Sequence, residues 1–307
     1  MTVPPSARVE STYKARDVES ALDIYFYRPI GYALARFFAT LRFTPSMVSL
    51  LGAAIGITAG HLYFYRDLRL NILGMFLHVL TNALDNADGQ LARLTNRGSL
   101  NGAIMDGFAD YLVFASVYLH LSLRFMAEGG SVAIWLLTVA AGMSHAVQSM
   151  MIDHYRNAYL QFVLGKRSAD ANSSEAVQQA YDAASWRSFF KKIGLRNYLN
   201  YTRQQEMLAP NLLKLRLATR SGAPEWLGGE YRSDCLPLVK WCNTLATNPR
   251  MFLLFALLLI GQPIWYFAVE VTLLNALLVY VLLRHEVIFA SLFRRVDVAH
   301  ETRTDAE

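Results

Sequence analysis

Apolar runs of membrane-spanning length recur along this chain, each bounded by charge. A run of about twenty apolar residues satisfies its backbone inside a bilayer as a helix. The runs are Pro45 to Tyr65, Leu70 to Ala92, Leu100 to Phe125, Val132 to Tyr155, Met251 to Ile260 and Ile264 to Leu283. The fifth is short, and its start lies anywhere from Leu245 to Met251. Composition agrees: 54% of the 307 residues are hydrophobic and 17% charged, where soluble domains carry about 25% charged. The expected fold is therefore all-α, a polytopic membrane protein of six transmembrane helices.

Two further segments surround them. Between Ala21 and Phe43, Tyr25, Phe26, Ile30, Leu34, Phe37 and Leu41 alternate with Asp23, Arg28, Arg36 and Arg42. That side is too interrupted by charge to span, and it reads as an amphipathic helix lying in the interface. Residues 164–248 are more polar and read as a partly helical cytoplasmic insertion. Lys166, Arg167, Arg187, Lys191, Lys192 and Arg196 are interleaved there with Trp186, Phe189, Phe190 and Tyr198. Beside spanning helices this mixture faces lipid headgroups rather than nucleic acid. The organisation is then 1–44 as N-terminus and interfacial helix, 45–163 as helices one to four, 164–248 as insertion, 249–284 as helices five and six, and 285–307 as tail.

The net charge of +5 serves as a topology signal. With a cytoplasmic N-terminus, every Lys and Arg but Arg66, Arg69 and Arg124 falls on the cytoplasmic side. The reading is a multi-pass protein of the cytoplasmic membrane, with both termini and the insertion on that face. Cys235 and Cys242 are the only cysteines and read as two ordinary thiols on one helix face. Gly52, Gly56 and Gly60 form a small-residue stripe suited to close helix packing.

Helices two and three each carry two aspartates, Asp85 with Asp88 and Asp106 with Asp110. An ionised carboxylate at the bilayer centre costs about 2.5–3.5 kcal/mol, so four without compensation cost on the order of 10 kcal/mol. Spacings of three and four put each pair on one helix face. Helix two descends to the turn from which helix three rises, so the two pairs converge near its cytoplasmic end. Clustered carboxylates are hard oxygen ligands, suited to Mg²⁺, Mn²⁺ or Ca²⁺. Gly89 permits close approach of a ligand, Arg93 offers a phosphate clamp, and Gly102 opens the facing helix. Divalent metal, phosphate contacts and a carboxylate base are the parts of phosphorus-group transfer. A cation transporter would instead spread its carboxylates through the membrane depth.

These residues resemble a family signature. Asp85-Asn86-Ala87-Asp88-Gly89-Gln90-Leu91-Ala92-Arg93, then Gly102, Asp106 and Asp110, matches D-x2-D-G-x2-A-R-x8-G-x3-D-x3-D of the CDP-alcohol phosphotransferases. The resemblance implies that Asp85, Asp88 and Asp106 hold two divalent ions, Mg²⁺ or Mn²⁺, with Asp110 near enough to share in coordination. It implies that Asp110 is the base for the acceptor hydroxyl, and that Gly89, Ala92, Arg93 and Gly102 contact the nucleotide. It also implies a homodimer. Thr81 and Asn82, a turn before Asp85, are candidates to read cytosine or are ordinary packing groups. His145, Gln148, Ser149, Tyr155 and Arg156, near one face of helix four, are candidates for the acceptor or satisfy one another. Six helices resemble the branch of the family that uses CDP-diacylglycerol. The expected reaction is transfer of a phosphatidyl-type group from that CDP-linked lipid donor to a polar alcohol acceptor, with release of CMP. The alternative is transfer of a headgroup from a soluble CDP-alcohol to a lipid hydroxyl such as diacylglycerol or ceramide.

Overall fold

A computed structural model describes residues 16–165, 173–220 and 222–304. Lys166 and Arg167, with the outer parts of the two terminal segments, lie outside the described residues. The described chain is helical, with no strand among its described residues. It forms two compact units, one running through Val147 and including Thr247–Leu274, the other made of Gln148–Ala246 and the chain from Asn275 onward.

The first unit is built on α1 (Arg28–Thr40), α2 (Pro45–Leu62), α3 (Leu68–Leu94) and α4 (Leu100–Ala127). It also holds the first half of α5 (Ile134–Leu164), α10 (Thr247–Leu259) and α11 (Trp265–Val269). The starts of α2, α3 and α4 are fixed by caps. Thr44, Asp67 and Ser99 each accept a hydrogen bond from a backbone N–H of the first turn, and Pro45 supplies a preset φ at the first helical position. The fifth apolar run begins as a helix at Thr247, after a break at Leu245 and Ala246.

α2 packs against both α3 and α4, and its glycine stripe sets how closely. A β-carbon on Gly56 would lie 2.6 Å from Val113, and one on Gly60 would lie 2.6 Å from Ser116 Oγ and 2.8 Å from the Val117 backbone nitrogen. Small residues let backbones meet where lipid offers no hydrophobic drive. At the end of this bundle remote from the Asp85–Asp106 turn, Arg66 and Arg124 both donate to Glu128, at 2.8 and 3.2 Å. Arg124 also reaches Asn71 Oδ1 at 3.0 Å. Partial burial pushes the Glu128 carboxyl up, but the two arginines outweigh it and hold it below the ordinary carboxylate value.

α1 is amphipathic. It turns Gly31, Ala35, Phe38 and Ala39 inward and leaves Ile30, Phe37 and Leu41 exposed. The residues before it, Asp23–Tyr27, wind as a π-helix, and Asn248 donates to Asp23 at 2.8 Å.

The second unit contains α6 (Ser174–Ala183), α7 (Phe189–Leu208), α8 (Pro210–Ala218), α9 (Glu225–Thr244) and α12 (Asn275–Thr304), with the second half of α5. α12 packs on α8 and α9, and α6 on α7. Tyr155 of α5 stacks on His285 of α12 with centroids 3.9 Å apart. Cys235 and Cys242 are buried free thiols on α9.

Among the described residues, four helical stretches are long and apolar enough to cross a membrane: Pro45–Leu62, Gly102–Ala127, Glu225–Leu259 and Trp265–Ala299. Helices α3 and α5 have the length, 27 and 31 residues. Their polar side chains, Asn71, His78, Thr81, Asn82 and the aspartates on α3 and Ser144 to His154 on α5, lower their apolar character. The third stretch begins inside the segment expected to be a polar insertion.

The stripe yields a stability prediction. Gly60→Ala forces α2 away from α4 and is expected to cost about 1–3 kcal/mol, measured as a lower Tm in detergent. Gly142→Ala, whose nearest neighbour would be Tyr118 at 3.9 Å, is expected to leave Tm equal or higher.

Candidate metal and nucleotide site

The four aspartates lie on adjoining parts of α3 and α4, near the turn that Ser99 closes. Ligand oxygens of Asp85, Asp88 and Asp106 all lie within 4.8 Å of one another. Asp110, one turn further along α4, is exposed and stands outside this triplet, though within electrostatic reach of Asp88. Oxygens bound to one small divalent ion at about 2.1 Å lie roughly 3–4 Å apart. The triplet could hold a metal ion, and its donors are all hard oxygen.

Asp88 is buried, while Asp85 is exposed and Asp106 half-buried. Burial of Asp88 is matched by Ser49 of α2, whose hydroxyl donates to Asp88 Oδ2 at 2.5 Å. Ser49 was not among the sequence candidates. It lies 36 residues before Asp85, outside the motif, and only its place three residues before Gly52 on the stripe face connects it to α3.

The nucleotide candidates divide. Gly89, Ala92 and Arg93 end α3 on the side of the triplet, and Gly102 opens α4 with its N–H donating to Ser99 Oγ at 3.1 Å. Arg93 folds back over Gly89: a β-carbon there would lie 3.5 Å from its Nη1. Its charge is felt by Asp85 and Asp88, and its buried Nε has no hydrogen-bond partner among the described residues. Thr81 instead serves packing, donating to Leu77 O at 3.0 Å and facing Gly52 O at 3.4 Å. Asn82 contacts Met251 Sδ at 3.3 Å.

The acceptor candidates on α5 are not brought into one described group. His145 belongs to the first unit, where its Nδ1 lies 3.0 Å from the Tyr118 hydroxyl and its ring 4.1 Å from Phe114. In the second unit Gln148 donates to Asn275 at 2.8 Å, Arg156 to Asn243 at 2.9 Å, and Tyr155 stacks on His285. Ser149 is half-buried there.

A buried ion pair also escaped the sequence reading. Glu270, fully buried on a π-turn, faces Arg250 at 3.8 Å and His145 at 3.9 Å. The signal was present, since Glu270 is a lone carboxylate inside the sixth apolar run, and such a residue calls for a partner.

Residues 42–168 match the family model of CDP-alcohol phosphatidyltransferase, a span that includes the whole motif and helices α2 to α5. Over that span the chain is similar to the CDP-alcohol phosphatidyltransferases, a family of phosphotransferase enzymes. No curated protein matches the chain.

The Ser49 contact is testable. Groups that orient metal-binding side chains typically contribute 10- to 100-fold to metal affinity or activity. Ser49→Ala is expected to raise the Mg²⁺ or Mn²⁺ concentration giving half-maximal CMP release by about tenfold. An unaltered metal dependence would remove Ser49 from the site.

Proposed function

We propose that the chain is an integral membrane enzyme that transfers a phosphatidyl-type group from CDP-diacylglycerol, or a similar CDP-linked lipid, to the hydroxyl of a polar alcohol, releasing CMP. The observation that carries this is the division among the four aspartates. Three bring their oxygens within one cation-sized space, and the fourth stands exposed a turn away on the same helix.

On this reading Asp85, Asp88 and Asp106 would hold Mg²⁺ or Mn²⁺, which when bound would supply charge neutralisation for the diphosphate and the leaving CMP. Arg93 and the N-terminal end of α4 at Gly102 hold the donor's phosphates, the arginine by a planar fork and the helix end by the positive end of its dipole. Gly89 leaves room beside Arg93. Asp110 accepts the proton of the acceptor hydroxyl. The acceptor oxygen forms its bond to the phosphorus bearing the lipid, the bond from that phosphorus to CMP breaks, and CMP leaves with the electron pair.

The topology belongs to the same reading. Six spans, α3 and α5 among them, leave the carboxylate end of the bundle on the cytoplasmic side, where a nucleotide-linked donor is made. α1 lies in the interface with Phe37 and Leu41 toward lipid. Function as a homodimer is part of the proposal.

The test is CMP release by the purified protein from CDP-diacylglycerol with Mg²⁺ or Mn²⁺ across a panel of alcohols. CMP is expected with at least one polar alcohol and none after chelation. CMP appearing only from CDP-choline or CDP-ethanolamine with diacylglycerol or ceramide would reverse donor and acceptor. Asp110→Asn is expected to lower turnover at least a hundredfold while binding CDP nearly as well as wild type. A turning-over Asp110→Asn enzyme would sink its role as base.

A further inference from the structure

Arg93 does not stand alone at the end of the motif helix. The first turn of α1 lies on it. Gln90 of α3, fully buried and three residues before Arg93 on the same face, donates its Nε2 to the backbone oxygen of Arg28 at 3.0 Å. Gly31 makes that approach possible, since a β-carbon there would meet Gln90 Nε2 at 2.8 Å, Asn86 Cβ at 3.0 Å and the Ala87 nitrogen at 3.2 Å. α1 is thus seated on the segment Asn86–Gln90, inside the signature itself.

Arg28, the first residue of α1, has its side chain buried there. Glu19 holds it by a two-pronged bond, Arg28 Nε to Oε2 at 2.8 Å and Nη2 to Oε1 at 2.9 Å, with both side chains only 8% exposed. This is the planar fork that fixes a guanidinium in one orientation. Arg28 and Glu19 both interact electrostatically with Arg93. Two guanidiniums therefore act on one another in a buried region, with Glu19 paired to Arg28, and like charges repel strongly in such a place. A glutamate neutralises one of them. Asp85 and Asp88 also act on Arg93, and its buried Nε, without a hydrogen-bond partner among the described residues, leaves a donor for an anion that arrives at the carboxylates.

We propose that Arg28 is a second arginine of the donor site, pairing with Arg93 so that the diphosphate of a CDP-linked substrate is held by two guanidiniums, and that Glu19 is the positioning residue that orients Arg28. The ligand is a nucleoside diphosphate ester, and the inference rests on the reading of Arg93 as a phosphate contact. It also gives α1 a role besides lying on the membrane: it carries part of the donor site.

The experiment compares wild type, Arg28→Gln and Glu19→Gln as full-length protein in detergent with Mg²⁺, by calorimetric titration with CDP and by steady-state CMP release. Arg28→Gln is expected to weaken CDP binding about tenfold or more and to raise the donor KM similarly, with kcat changed less than about threefold. Glu19→Gln is expected to shift both in the same direction by about threefold, and Arg28→Lys to recover part of the loss by keeping the charge without the fork. Should Arg28→Gln fail to fold, judged by Tm, Glu19→Gln and Arg28→Lys carry the comparison. CDP affinity and donor KM left at wild-type values in the folded variants would overturn the proposal, as would a fall in kcat and Tm with CDP affinity unchanged. Wild-type protein that binds CDP but releases no CMP from any donor would overturn the transfer reaction, and the CDP titrations would still decide the place of Arg28.

Discussion

A buried carboxylate needs a polar group facing it, and that requirement ties α2 to α3 in the first unit. Asp88 is the most enclosed of the four aspartates, and the group that answers it, the Ser49 hydroxyl, comes from a different helix. For Ser49 to reach within 2.5 Å, α2 must lie almost in backbone contact with its neighbours. The stripe of Gly52, Gly56 and Gly60 provides this on the face that carries Ser49. The same closeness brings Asp106 on α4 within cation distance of Asp85 and Asp88 on α3. Packing and chemistry are set by one helix.

Charges elsewhere in the unit obey the same rule at other depths. Arg28 is matched by Glu19, Arg124 by Glu128 and Asn71, and Arg250 by Glu270 with His145 beside it. Arg124 with Asn71 and Arg250 with Glu270 join separate parts of the chain, and removing one member of a buried pair would strand the other in low dielectric. These polar contacts add to the glycine contacts of α2 in fixing how the helices meet.

The motif was legible in the sequence because its parts are local. Spacings of three and four residues fix which aspartates share a face, and Thr44-Pro45 and Ser99 announce where helices begin. The glycine stripe was legible as packing for the same reason. What escaped was non-local. Ser49 is an ordinary serine until α2 is laid on α3, and Glu19 and Arg28 are two charges in a polar stretch until the chain winds back through a π-helix. The acceptor candidates are a different case. His145 to Arg156 share a helical face by counting, but the structure engages them separately, His145 with Tyr118 and Tyr155 with His285. Glu270 was readable and went unread, because a single carboxylate in a strongly apolar run is easily averaged away.

The Ser49 contact has a thermodynamic consequence. One side chain belongs both to the helix–helix contact of α2 with α3 and to the surroundings of a candidate metal ligand, so the two equilibria are linked. A cation that draws Asp88 into a fixed orientation also fixes the partner of Ser49, and α2 with it. A cation bound at the carboxylates would then strengthen the cohesion of the bundle, and a tighter bundle would bind the cation better.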